Sequence, residues 1–137
     1  MIKVSPSDAK QLVIDTIKVG LVPLLKGSPG MGKSAIMHEI AKELNLELID
    51  IRLAQMDPVE LNGFPMFKDG KASYAPMDIF PTTDTELPEG KNGWLVFFDE
   101  LTSAPKSVQA AAYKILLDKA VGKFKIHERV RMVAACS

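Results

Sequence analysis

Residues 27 to 34 read Gly27-Ser28-Pro29-Gly30-Met31-Gly32-Lys33-Ser34, and this octet decides the fold. It matches the pattern G-x-x-x-x-G-K-[ST]. Each fixed position has a chemical reason. Glycines let the backbone take unusual dihedrals and come close to a phosphate. The amides of such a loop turn inward as an anion nest, and a following helix adds the positive end of its dipole. Lys33 is placed to reach the β- and γ-phosphates of a nucleotide, and the Ser34 hydroxyl is placed to ligate Mg²⁺. Ser28, Pro29 and Met31 set the shape of the loop. The flanks agree with this reading. Leu21 to Lys26 is a short apolar run that predicts a strand, and Ile36, Ile40, Ala41 and Leu44 recur at helical spacing after the loop.

The second decisive stretch is Trp94-Leu95-Val96-Phe97-Phe98, followed by Asp99-Glu100. Five apolar residues in a row predict a strand covered on both faces, as in a parallel sheet. A carboxylate at the C-terminal end of such a strand, beside a phosphate loop, can hold the water shell of a metal. That is the expectation for Asp99. A second carboxylate one residue later points elsewhere and can polarise an attacking water, the expectation for Glu100.

Between and around these stretches the punctuation is regular. Ser5-Pro6-Ser7-Asp8 predicts a capped helix start, with Ala9, Leu12, Val13 and Ile17 on one face and Gly20 as its stop. Leu46 to Leu53 alternates as a strand. Met56 to Gly63 predicts a short helix from Asp57-Pro58. Asp69-Gly70 predicts a hairpin joining Met66-Phe67 to Ser73-Tyr74. Residues 76–93, rich in proline, threonine and acids, predict an irregular connection. Ser103-Ala104-Pro105 predicts another helix start, and Gly122 its end. Phe124–Ile126 and Val130–Ala135 predict two more strands, the latter apolar enough to be central. Strands alternating with helices give an α/β layer fold with a parallel sheet.

At 137 residues the chain fits one domain. Lys plus Arg and Asp plus Glu are 17 each, so no global field selects a nucleic acid or a membrane. The single cysteine excludes an internal disulfide and suits a reducing, cytoplasmic setting. Neither a leader-like segment nor an apolar run near 18 residues predicts secretion or membrane spanning.

The octet, the string Met56-Asp57-Pro58-Val59-Glu60-Leu61-Asn62-Gly63-Phe64-Pro65, and the stretch from Trp94 to Asp118 together resemble the AAA+ ATPases, in the MoxR-like and dynein-related branch. The resemblance covers roughly residues 20–137. It implies a three-layer P-loop NTPase fold with a mainly parallel central sheet. Gly27–Ser34 would be the Walker A motif and Asp99-Glu100 the Walker B motif. The cofactors implied are ATP or ADP with Mg²⁺, with Lys33 and Glu100 serving hydrolysis. In a complete form, the partners implied are copies in a ring and a protein substrate to be remodelled. The Lys68–Lys71 hairpin would interrupt the second helix, and Phe124–Ile126 would precede the sensor strand. Ser137 falls at or one short of the polar sensor position. A fifth strand, an arginine finger, a second sensor and a helical lid would follow, so the chain is expected to be the front of such a domain, truncated before the fifth strand.

Two rival functions remain. One is a nucleotide-dependent regulatory module with little hydrolysis of its own. The other is part of a nucleic-acid motor, resting on Lys119, Lys123, Lys125, Arg129 and Arg131, which face only Glu128 in that stretch. No LSGGQ-like string points to a transporter ATPase. His38 and His127 lack partners at metal-ligand spacing, and Cys136 is expected to be a small core residue.

Overall fold

The computed structural model describes residues 5–27, 32–62, 64–68, 70–75 and 79–137. At its centre lies β5 (Gly93–Asp99), the apolar run, in which every residue from Gly93 to Phe98 is buried. It pairs in parallel with β2 (Leu46–Arg52) on one side and with β8 (Val130–Cys136) on the other. β1 (Leu24–Lys26) pairs in parallel with β8, giving a four-stranded sheet in the order β1-β8-β5-β2. β8 is therefore central, as its composition predicts.

Side-chain alternation sends residues of each strand to two cores. Trp94, Val96 and Phe98 of β5 join Met132, Ala134 and Cys136 of β8 on one face. There they meet Val108, Ala111, Ala112 and Ile115 of α4 (Lys106–Asp118) and Leu61 of α3 (Pro58–Asn62). Leu95, Phe97, Val133 and Ala135 face the other way. They pack on Val13, Ile14 and Ile17 of α1 (Pro6–Lys18) and on Ile36, Met37 and Ile40 of α2 (Lys33–Glu43). Helices on both faces of a parallel sheet make the three-layer α/β fold. Phe97 and Phe98 are fully buried on opposite faces, each worth about 1.5–3 kcal/mol of transfer free energy. Cys136 is buried in the first core, the small-residue role expected of it.

Local chemistry explains most boundaries. Ser5 Oγ accepts from the Asp8 amide and caps α1, with Pro6 in the first turn. Gly20, at φ +83°, follows the end of α1. β3 (Phe64–Lys68) and β4 (Lys71–Ala75) form the expected antiparallel hairpin. Three expectations shift. Ser103 does not open α4; it closes a short 3-10 turn, Leu101–Ser103, and Pro105 is the N-cap. α4 ends at Asp118 because Lys119 takes the left-handed conformation, φ +52°, and its amide reaches back to the Ile115 carbonyl. Gly122 instead sits in the turn between β6 (Ala120–Val121) and β7 (Phe124–Lys125), a pair too short to show periodicity. Residues 79–92 are irregular but anchored, with Phe80 buried against Phe98 and an isolated bridge from Thr82 to Ile126.

Gly93 begins β5 at φ +154°, and a Cβ there would lie 2.2 Å from the Arg129 carbonyl oxygen. Both the dihedral and the close approach require glycine. Gly93→Ala is expected to cost roughly 2–5 kcal/mol, from backbone strain and overpacking together. Urea unfolding measures it, and an unchanged midpoint would show that the two backbones do not approach this closely.

Candidate functional site

Parallel strands end on a common pole, and the expected site residues gather there. Gly27 directly follows β1, and its amide extends the ladder by donating to the Cys136 carbonyl at 3.1 Å. Ser28, Pro29, Gly30 and Met31 lie outside the described residues. Gly32 is the N-cap of α2 in the left-handed conformation, φ +71° and ψ +31°. Lys33 and Ser34 open α2 and are half-buried.

The two long N-terminal helices begin in opposite ways. α1 carries a serine cap and Asp8 in its first turn. α2 has neither a side-chain cap nor an acid in its first turn. The amides that open α2 thus keep their donors and their partial positive charge, the arrangement that suits a bound anion.

Lys33 is held where it can complete such a site. Its Nζ donates to the Gly27 carbonyl at 2.9 Å and to the Cys136 carbonyl at 3.1 Å. Among the described residues these are its only acceptors, and a lysine ammonium has three donors, so one is left for an incoming oxygen. Both carbonyls are strand-end groups, one on β1 and one on β8. The charge is therefore fixed at the sheet's C-terminal pole rather than swinging on its stem.

Asp99 ends β5, the strand adjacent to β8. Because Phe98 pairs with Ala134, Asp99 stands level with Ala135. That puts its strand about 5 Å from the strand end that holds Lys33. Alternation continues the Leu95–Phe97 face at Asp99, so its side chain leaves the sheet on the side covered by α2. Asp99 Oδ1 accepts from the Glu100 amide at 2.8 Å. Among the described residues its other oxygen has no donor. Glu100 takes the left-handed conformation, φ +60° and ψ +39°, which ends the extended strand directly after Asp99. A non-glycine residue there stores about 1–2 kcal/mol, and such strain is characteristic of working residues. Both carboxylates are half-buried.

These parts fit a Mg-nucleotide. The fit rests on an uncapped helix end, a lysine with one spare donor, a serine beside it, and a carboxylate oxygen left open on the same face. A cleft of about 450 Å³ adjoins them, lined by Pro6, Ser7 and Lys10 of α1 and by Gly32, Ala35, Ile36 and Glu39. The sequence did not signal this cleft, because it forms only when the starts of α1 and α2 lie side by side.

The sequence profile of the AAA domain, dynein-related subfamily, matches residues 23–133. This chain belongs to the dynein-related AAA family. The match spans the phosphate loop, the acidic pair and most of β8. Solved structures agree at the level of fold. The RuvB protein of Thermotoga maritima, as a point variant, superposes with a TM-score of 0.63 at 19% identity, over 98% of this chain and 40% of that one. A candidate ATPase from Cytophaga hutchinsonii gives 0.60 at 21% identity, over 96% of this chain and 38% of its own. NtrX from Brucella abortus gives 0.58 at 16%, over 100% and 30%. The AAA chain described here thus spans less than half the length of each of these neighbours. Among its described residues, no helix is long and apolar enough to cross a membrane.

Proposed function

We propose that residues 1–137 form the nucleotide-binding core of an AAA ATPase that binds Mg-ATP at Gly27–Ser34 and couples its hydrolysis to remodelling of a protein partner. The observation that carries the reading is the placement of Lys33. Its ammonium is anchored to the ends of β1 and β8 with one donor spare, next to an uncapped helix start. In this reading the amides of residues 30–34 and the Lys33 ammonium hold the β- and γ-phosphates. The Ser34 hydroxyl and the open Asp99 oxygen hold Mg²⁺. Bound there, Mg²⁺ would neutralise charge that develops on the phosphoryl oxygens. Glu100 orients a water and accepts its proton as it attacks the γ-phosphorus. The cleft between the starts of α1 and α2 takes the base and ribose.

Arg52 ends β2 level with Asp99 at this pole, and we place the arginine that would offset transition-state charge on a neighbouring copy in a ring. The setting we propose is cytoplasmic, and the MoxR-like branch is our finer assignment within the family. Turnover per subunit against protein concentration tests the proposal. A rise with assembly, tracked by sedimentation, is the expected result. A flat, near-zero rate with intact nucleotide binding would overturn coupling by assembly and leave the regulatory module as the better reading.

A further inference from the structure

The opposite pole of the sheet, where the strands begin, holds a second concentration of charge. A groove of about 200 Å³ opens between the end of α1 and the starts of β5 and β8. Lys18, Arg129, Arg131 and Asn92 line it over a floor that includes Ile17 and Leu46. Among the described residues no carboxylate lines it. Among the described residues the ion pairs are Lys10 with Glu39 and Glu43, so none of the three cations has a carboxylate within reach. The neighbouring acids are engaged or turned elsewhere: Asp15, one turn before Lys18, accepts from Gln11 Nε2 at 2.9 Å. Glu43 is engaged by Lys10 at 3.4 Å, Glu47 alternates away from Leu46, and Glu128 lines two clefts beside the 127–130 turn, one of which Arg131 also borders, without coming within ion-pair distance of it.

Two of the groove's cations are constrained, one at its side chain and one at its backbone. Arg131 Nη1 donates to the Glu128 and Val130 carbonyls at 3.0 and 3.2 Å, and among the described residues Nε and Nη2 have no acceptor. The Arg129 backbone is clamped on both sides. Its amide donates to His127 Nδ1 at 3.0 Å, and its carbonyl accepts from the Trp94 amide at 3.1 Å. Gly93 exists to permit that approach. The Arg131 charge is therefore fixed, and the Arg129 side chain starts from a fixed backbone.

A simpler role for these cations is to offset helix ends. α1 and α2 both terminate at the groove, each presenting about half a negative charge. Two half charges do not balance three full ones, so a net charge near +2 remains. A fork of guanidinium donors and a charge near +2 match a phosphate group better than a single carboxylate.

We propose that this groove is a second anion site, distinct from the phosphate loop, which takes a phosphate group of a ligand through Lys18, Arg129 and Arg131. The same chemistry is offered by a small phosphate and by a nucleic-acid backbone. Titrations of the isotopically labelled intact chain, followed by NMR, separate the two. One uses inorganic pyrophosphate and the other a short single-stranded DNA. The signals read are Arg129 and Arg131 Nε–H and the Asn92 side-chain amide, which report on the groove whatever happens at Lys33. The expected result is a saturable shift of these signals. The double variant Lys18→Glu/Arg129→Glu, both exposed positions, should weaken binding by at least about tenfold, read on Arg131 Nε–H and the Asn92 amide, with the unfolding midpoint kept. Movement with the oligonucleotide at lower concentration and with a steep salt dependence assigns a nucleic-acid backbone. Movement with pyrophosphate alone assigns a small phosphate. No movement with either probe, or movement indifferent to the double charge reversal, overturns the site.

Discussion

Replacing Lys33 with alanine is expected to weaken Mg-ATP binding by at least about 100-fold. The ammonium is held by two carbonyls and offers its remaining donor to phosphate. A charge-assisted hydrogen bond of that kind contributes about 1.5–3 kcal/mol, and the lost Coulomb attraction to a polyanion adds to it. Fold stability should change far less. The Cys136 carbonyl keeps its bond from the Gly27 amide, and Lys33 is only half-buried. Fluorescence titration with a labelled ADP, alongside thermal unfolding, separates the effects. Parental affinity in a folded Lys33→Ala protein would remove the lysine from the site.

Glu100→Gln should act on rate instead. In an assembly that hydrolyses ATP, turnover is expected to fall by about 100- to 10,000-fold, the range for losing a general base. Affinity for ATP should stay near the parental value, because ground-state binding rests on Lys33, Ser34, the loop amides and the metal. The substitution is a clean one. Glutamine in the left-handed conformation at φ +60° carries no more strain than glutamate, and the Glu100 amide keeps its bond to Asp99 Oδ1. Asp99→Asn should differ by lowering Mg-dependent affinity as well as rate. Single-turnover assays on the two variants distinguish a water-orienting carboxylate from a metal-holding one. Parental turnover in Glu100→Gln would take Glu100 out of the chemistry.

Much of this architecture is legible in the residues because its signals are local. The octet 27–34 joins a strand to a helix, and the apolar run 94–98 demands a buried central strand. Proline, glycine and capping residues mark the start of α1 and the β3–β4 hairpin. What escaped is non-local or runs against propensity. Nothing in its type marks Lys119 as a helix stop; it adopts a left-handed conformation because the chain must turn into β6 there. The bond from Lys33 to Cys136 spans 103 positions. Cys136 reads as a small apolar residue, and only its carbonyl takes part, which side-chain identity cannot announce. The basic stretch 119–131 reads as one feature in sequence. Folded, Arg129 and Arg131 join Lys18 in one groove, while Lys123 and Lys125 belong to the β6–β7 hairpin. Only the parallel pairing of β5 and β8 brings Gly93 against Arg129.

The central claim is that the C-terminal pole of the sheet is a Mg-nucleotide site. Calorimetric titration of the intact chain with ATP, in Mg²⁺ and again in excess chelator, tests it most directly. The account predicts one saturable site in Mg²⁺ and a marked loss of affinity when the metal is removed, since Ser34 and Asp99 then contribute nothing. Absence of saturable binding, or binding of equal strength with and without Mg²⁺, would contradict it.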